Sequence, residues 1–193
     1  MLADPLYLFV FFGLFSPGPN VILLTASGAR FGFKRTVPHL LGVALGVGII
    51  AALTAYGLGA LLLAYPDLTL TLKVLAALWI LRMAWGLWNA KPRDIDSADA
   101  PMTFVQAILF QWVNPKIWAV ALTAISAYPA GIGPLGEAVR LGTAFSGINL
   151  FVCLFWTLAG AMLAYLLEAK LAWRLFMRVM ALALVVFSLM VFV

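Results

Sequence analysis

The sequence predicts an all-α, polytopic membrane protein with six transmembrane helices, forming a single domain over residues 1–193. Of its 193 residues, 65% are hydrophobic and only 10% are charged, whereas soluble domains average about 45–50% apolar and 25% charged residues. The apolar residues form long runs that short polar connections separate. A helix needs about 20 apolar residues to cross a bilayer, so this length accommodates roughly six spans and leaves little for a soluble domain.

Charges, glycines and prolines bound the six runs. We predict spans at Pro5–Ala29, Pro38–Ala64, Leu68–Ala90, Met102–Tyr128, Gly136–Leu167 and Leu171–Val193.

Basic residues concentrate in the first, third and fifth connections, and the remaining two connections are almost uncharged. The positive-inside rule therefore places these three connections in the cytoplasm and both termini on the outer, periplasmic side. The net charge of +5 thus reports membrane orientation rather than nucleic-acid binding. The basic residues in question are Arg30, Lys34, Arg35, Lys91, Arg93, Lys170, Arg174 and Arg178.

Several classes of function are excluded by residues that the chain lacks. Cys153 is the only cysteine and His39 the only histidine, so neither an intrachain disulfide nor a Cys or His metal cluster can form. The predicted spans contain no paired carboxylates and no nucleophile next to a base, so we predict no catalytic residue, no metal site and no cofactor. A non-transporting membrane partner subunit needs none of these groups, so that alternative stays open.

Among the charged residues inside predicted spans, three sit awkwardly for ordinary lipid-facing helices: Arg82, Glu137 and Arg140. Arg82 either snorkels to the headgroups or points into the bundle, and we favour snorkelling or structural pairing over a function. Glu137 and Arg140 are three residues apart near the outer end of span five, a spacing that favours a local ion pair.

Prolines interrupt two of the spans near the middle of the bilayer. Span one is broken at Ser16-Pro17-Gly18-Pro19-Asn20, and span four at Gln111-Trp112-Val113-Asn114-Pro115-Lys116. Packing kinks are the simplest interpretation, because proline and glycine are frequent in membrane helices. In each break, however, an N-capping or flexible residue precedes a proline, which is the order of a helix start. Each break thus creates a helix N-terminus that attracts an anion such as a substrate carboxylate.

Lys116 adds a full positive charge to the first turn of the second half-helix, and no Asp or Glu lies deep in a predicted span to pair with it. Two interpretations stay open: Lys116 bonds to backbone carbonyls freed by the break in span one, or it contacts substrate directly. Polar residues able to complete a pocket are Asn20, Thr25, Gln111, Ser146 and Asn149.

A weak internal repeat relates the two halves of the chain, residues 1–92 and 102–193. Placing Pro19 on Pro115 also places Val43 on Val139 and Gly46 on Gly142. Three spans per half force the second half to enter from the opposite side, so we predict two inverted three-helix repeats with broken first and fourth helices. We expect Gly42, Gly46 and Gly142 to let helices approach the breaks closely.

At these two breaks the sequence resembles the LysE/RhtB family of amino-acid exporters. The Phe-rich run into Ser16-Pro17-Gly18-Pro19-Asn20 is similar to the family's Pro-Gly-Pro-Asn motif, and Asn114-Pro115-Lys116 is similar to its Asn-Pro-Lys motif. The resemblance covers the whole chain and is greatest to the branch that includes the cysteine/O-acetylserine exporter. It implies secondary efflux of amino acids or derivatives across the bacterial inner membrane, driven by the membrane gradient.

The resemblance and the breaks together nominate a substrate site of Pro17, Gly18, Pro19, Asn20, Gln111, Asn114, Pro115, Lys116 and Asn149. Relatives that export basic amino acids are thought to use acidic residues in spans two and five. Leu40–Leu63 has no carboxylate and Glu137 lies at the edge of span five, so a neutral substrate fits better. Membrane lipid is the other expected partner, and a homodimer is left open.

Overall fold

The computed structural model describes residues 4–91 and 100–192, and the regular structure of these residues is entirely helical. The helices, in chain order, are α1 (Pro5–Phe15), α2 (Pro19–Phe31), α3 (Phe33–Leu53), α4 (Gly59–Ala64), α5 (Pro66–Trp88), α6 (Phe104–Trp112), α7 (Pro115–Ala127), α8 (Gly133–Leu163) and α9 (Lys170–Met190).

Four helical segments are long and apolar enough to cross a membrane: Phe33–Leu61, Pro66–Trp88, Gly133–Leu167 and Lys170–Met190. Two further pairs, α1 with α2 and α6 with α7, satisfy the same test as pairs and are bent by 56° and 63°. The predicted breaks in the first and fourth runs are therefore confirmed, and the described residues form between four and six membrane spans.

The helix starts follow from local sequence. Asp4 caps α1 by accepting from the Leu6 amide at 3.0 Å. Thr103 and Gln106 form a reciprocal capping box at the start of α6. Helices α1, α2, α5 and α7 all begin at a proline, whose missing N–H costs nothing at the first helical position.

The start of span two differs from the prediction. Helix α3 begins at Phe33 and includes Pro38, whereas the sequence predicts a start at Pro38 itself. Proline this near a helix start removes only one backbone hydrogen bond, so the helix continues through it. Lys34 consequently lies in the first turn of α3, and a single residue, Gly32, with φ of 77°, connects α2 to α3.

The second half of span two carries an irregularity that the sequence does not predict. The residues Thr54–Leu58 form a π-helical turn in which Gly57 has φ of 130°, a conformation that only glycine adopts readily. Helix α4 then continues the span to Ala64. Span two therefore bends without any proline at the bend.

Glycines allow the central helices to pack backbone to backbone. A Cβ added to Gly28 of α2 would lie 2.2 Å from the Thr157 carbonyl oxygen of α8, and one added to Gly160 would lie 2.0 Å from the Thr25 carbonyl oxygen. Small residues are typical of such close crossings in membranes.

Of the two glycines predicted to bring span two close to the second break, Gly46 does so, whereas Gly42 packs against the start of α6. A Cβ on Gly42 would lie 2.3 Å from the Phe104 carbonyl oxygen, and one on Gly46 would lie 2.8 Å from Cγ of Gln111. Gly142 instead brings α8 against Ala52 of α3, away from the breaks.

A cluster of charges joins three helices at the end of the bundle opposite the basic connections. Arg140 of α8 donates to Asp4 at 2.6 Å, to Glu137 at 3.2 Å and to the Tyr128 carbonyl at 2.8 Å. The predicted Glu137–Arg140 pair is thus confirmed, and the bond to Asp4 is an addition that the sequence does not reveal. The cluster fixes the start of α1 to the ends of α7 and α8.

Asp4 makes this cluster dependent on pH. Its hydrogen bond to Arg140, together with the Leu6 amide, holds the pKa of Asp4 below its usual value of 3.8. A carboxylate with a lowered pKa stabilises the fold above 3.8, and this stabilisation is lost as the pH falls through the lowered pKa. We therefore expect Asp4→Asn to lower the melting temperature in detergent at pH 7, and the two proteins to converge below pH 3.8. Asp67→Asn, at an exposed carboxylate of the same end, is the control; equal melting temperatures for wild type and Asp4→Asn at pH 7 would contradict this role.

Three other arginines that the sequence singles out can be compared with the structure. Arg82 is exposed and so does not point into the bundle. Arg178 lies over the Trp88 ring at 4.9 Å, next to the third connection. Arg93, predicted in that connection, lies outside the described residues.

Candidate functional site

The two breaks place two helix N-termini in the interior of the bundle. Gly18 precedes α2 in an extended conformation, and Asn114 precedes α7. Gly18 has no side chain to cap α2, and the Asn114 side chain makes no hydrogen bond to the first turn of α7. Asn114 occupies the N-cap position of α7, although its side-chain amide donates to Gln111 instead of capping the first turn. Its position before Pro115 is as predicted.

An amide network links the breaks to each other. Asn20 Nδ2 donates to Gln111 Oε1 at 2.8 Å, and Gln111 Nε2 donates back to Asn20 Oδ1 at 3.1 Å. Gln111 also donates to the Ala107 carbonyl and accepts from Asn114 Nδ2 at 3.3 Å. Gln111 is completely buried, and both its amide nitrogen and its amide oxygen are hydrogen-bonded. Its bonds hold the two broken helices together.

Lys116 makes the second link between the breaks. Its ammonium donates to the Ser16 carbonyl at 2.5 Å, to Ser16 Oγ at 2.9 Å and to the Pro17 carbonyl at 3.4 Å. These are the carbonyls freed by the break in span one, so that interpretation of Lys116 is confirmed. Gly18 is required for the approach, because a Cβ there would lie 2.7 Å from Cδ of Lys116 and 2.9 Å from its Nζ.

A narrow cavity lies between the breaks and α8. Its volume is about 10 Å³, which is room for only about one water molecule. We call it the central cavity. It is lined by Leu14, Gly18, Asn20, Val21, Leu24, Asn114, Lys116, Ile117, Asn149, Val152 and Cys153.

Five of the nine predicted site residues line the central cavity, and the other four surround it. Gln111 lies behind Asn20 and Asn114, and the Pro17 carbonyl accepts from Lys116. Pro19 and Pro115 line a cleft on the other side of Lys116.

Thr25 and Ser146 do not line the central cavity, contrary to expectation. The hydroxyl of Thr25 donates to the Val21 carbonyl one turn earlier in its own helix, at 2.8 Å. Ser146 packs against Gly48, where an added Cβ would lie 1.8 Å from its Oγ.

Sequence reasoning missed Cys153 and Ser16 as site residues. Cys153 follows Asn149 by one helical turn, so the two share a face of α8. That spacing is the signal that could have found Cys153. For Ser16, the signal was its place at the end of α1, where the last carbonyls of a helix have no intrahelical partner.

Two asparagines give the central cavity its polar character. Asn114 is fully buried, and its Oδ1 has no hydrogen-bond partner among the described residues. Asn149 is 2% exposed and donates to the Val43 carbonyl only at the 3.5 Å limit. Lys116 therefore places a positive charge beside the cavity, with its N–H groups bonded to Ser16 and Pro17, while Asn114 offers an acceptor.

His39 lies apart from this cavity. It is buried, and its Nδ1 is 3.3 Å from Ser27 Oγ, which joins α3 to α2. Within residues 4–91 and 100–192, no three His, Cys, Asp or Glu side chains are grouped so as to hold a metal ion.

Comparison with known proteins identifies the family of the chain. The profile of the LysE type translocator family matches residues 11–193. A cysteine/O-acetylserine efflux protein of Salmonella choleraesuis (strain SC-B67) is 26% identical over 161 residues, 83% of each chain. The protein of the same name from Escherichia coli O1:K1 / APEC is 28% identical over 146 residues, 75% of each chain. No solved structure matches. The chain therefore belongs to the LysE type translocator family, whose members are transporters rather than enzymes.

Proposed function

We propose that the chain exports a neutral amino acid or a small derivative such as cysteine or O-acetylserine, and that the substrate binds in the central cavity between the two breaks. The observation that carries this proposal is that a cationic group and an unbonded hydrogen-bond acceptor both line the central cavity. Lys116 supplies a cation for a carboxylate, and the unpartnered Asn114 Oδ1 supplies an acceptor for an ammonium group. An amino-acid zwitterion presents both groups.

The substrate class follows from what lines the cavity. Among the described residues on its walls, none is an Asp or a Glu. A second cationic group, as on lysine or arginine, would be left without a counter-charge in a low-dielectric site, at a large energetic cost. Two curated relatives carry the names of cysteine and O-acetylserine, which are both neutral in the side chain.

The proposed mechanism is alternating access by two inverted three-helix repeats, residues 1–92 and 102–193, which form one transport unit of six spans. The cross-links at the breaks support it, because each comes from the second residue of a downstream half-helix. Asn20 of α2 reaches Gln111 near the end of α6, and Lys116 of α7 reaches Ser16 at the end of α1. The central cavity is too narrow for an amino acid, so the repeats must move apart to admit one.

The exporter is proposed to lie in the bacterial inner membrane with both termini in the periplasm, and a homodimer stays a prediction.

The proposed export is coupled to the proton gradient. This coupling is tested in right-side-out vesicles loaded with O-acetylserine. Acidifying the outside should accelerate efflux, and an uncoupler should abolish the acceleration. Efflux that ignores both treatments would exclude proton coupling.

The site assignment is tested by efflux of O-acetylserine, cysteine and lysine from proteoliposomes. We expect wild-type protein to move the two neutral compounds and not lysine, and we expect Asn114→Ala and Lys116→Ala each to reduce efflux about ten-fold or more. Asn89→Ala, at an exposed asparagine that ends α5, is the matched control. If both site variants export every neutral amino acid tried at the wild-type rate, the assignment is wrong.

A further inference from the structure

A groove between α5, α7 and α9 leads away from Lys116 toward the end of the bundle that carries the Arg140 cluster. It consists of two adjoining clefts with open volumes of about 680 and 710 Å³. Both clefts are lined by Lys73, Pro115 and Ala119. We call the first the outer cleft and the second the inner cleft. The outer cleft is additionally walled by Trp112 and Trp118, whose indole N–H donates to the Trp112 carbonyl at 3.0 Å.

Lys73 is a charged residue in a largely apolar groove. It lies about 10 Å along α5 from the first residue of that helix, at 1.5 Å per residue. Its ammonium has no hydrogen-bonding or charged partner among residues 4–91 and 100–192. The walls of the outer cleft are otherwise almost wholly apolar. A cation within a membrane helix is costly, so its retention calls for a partner of opposite charge.

Lys116 connects this groove to the central cavity. The Lys116 side chain borders the central cavity on one side and the inner cleft on the other, where Pro19 and Pro115 accompany it. The described residues that line the two clefts include no Asp or Glu. The groove thus offers two lysines in succession and no protein anion to neutralise them.

We propose that Lys73 is a second carboxylate-binding residue, which receives the carboxylate of the departing amino acid after Lys116 releases it. The inference rests on the proposed function and extends it from the binding site to the exit route. The ammonium of Lys116 is bonded to Ser16 and Pro17, and the Lys116 side chain lies between the central cavity and the groove. Release toward Lys73 keeps the substrate anion beside a cation through the apolar part of the path.

The first experiment tests whether position 73 faces water. The native Cys153 is buried, so a Lys73→Cys variant can be probed in proteoliposomes with an anionic, membrane-impermeant thiosulfonate. We expect Lys73→Cys to react at least ten-fold faster than Leu78→Cys, a position on the same helix that is 59% exposed but outside the groove. Equal, slow labelling of both would show that lipid fills the groove and would overturn the proposal.

The second experiment measures O-acetylserine efflux in liposomes of phosphatidylcholine alone. We expect Lys73→Met to lower the maximal rate about ten-fold, Lys73→Arg to restore most of it, and Lys91→Met, at an exposed lysine just beyond the end of α5, to leave it unchanged. Retaining a half-saturating concentration close to that of wild type would separate an exit role from a loss of binding in the central cavity.

Two outcomes separate this inference from the function on which it rests. Wild-type protein that moves neither O-acetylserine nor cysteine would contradict both. An active wild type with an equally active Lys73→Met variant would overturn only the inference. A third outcome concerns lipid. If wild-type efflux requires phosphatidylglycerol, and Lys73→Met and wild type are equally slow in phosphatidylcholine alone, Lys73 binds a lipid phosphate and not the substrate.

Discussion

Replacing Gly160 with valine is expected to lower the free energy of unfolding by about 3 kcal/mol or more, the upper part of the range for overpacked cores. The added Cβ would lie 2.0 Å from the Thr25 carbonyl oxygen and 2.8 Å from the carbonyl carbon. Neither atom can move away without shifting α2, because both belong to its backbone. Gly28→Val should behave in the same way against Thr157. The readout is the melting temperature in detergent or the unfolding midpoint in a denaturing detergent.

Gly147 provides the matched control for that experiment, since it lies in the same helix and an added Cβ would meet nothing within 4 Å. Gly147→Ala should be neutral, or stabilising by about 0.5–1 kcal/mol through the lower backbone entropy of alanine. A Gly160→Val protein as stable as Gly147→Ala would mean that α2 and α8 do not cross at these glycines.

Lys116→Met is expected to reduce efflux of a neutral substrate by more than ten-fold without lowering the melting temperature. Transport should fall because the variant loses the cation proposed to bind the carboxylate. Stability should hold because methionine fills a similar volume and removes a charge that has no acidic partner among the described residues. Efflux from proteoliposomes and thermal unfolding of the same preparation provide the two measurements.

The combination of results distinguishes a substrate contact from a structural one. Loss of both transport and stability would mean that Lys116 mainly holds the two breaks together. Wild-type transport with unchanged stability would remove Lys116 from the site altogether. Lys170→Met, at an exposed lysine that begins α9, controls for the loss of one positive charge.

The parts of this structure that sequence reasoning predicted are those that backbone chemistry dictates. Pro19 follows Pro17 and Gly18, and Pro115 follows Asn114, and both combinations strongly disfavour continuing the preceding helix, so new helices were expected to begin at these prolines. The freed carbonyls of span one in turn required a donor, and Lys116 was a cation without an acidic partner in the predicted spans. Both expectations are confirmed by the bend angles and by the bonds of Lys116 to Ser16.

The parts that were missed depend on which residues meet across the bundle. Nothing local to Asn20 reveals that Gln111 is its partner, and nothing local to Asp4 reveals Arg140. The bend at Gly57 was equally hidden, because glycine is common in straight membrane helices and the run around it is continuously apolar. Such contacts follow from the helix arrangement, which spacing along one chain segment does not encode.

Gly32 limits how the repeats can move. With a single residue between α2 and α3, these two helices share one short tether and must travel as a unit. The connection from α7 to α8, residues 128–132, is longer, but Arg140 and Glu137 of α8 bind it at the Tyr128 carbonyl and at the Ala130 and Gly131 amides, so α7 and α8 are tied together as well. The movement of one repeat against the other is therefore expected to occur at the breaks, at Pro19 and Pro115, and not at these two connections.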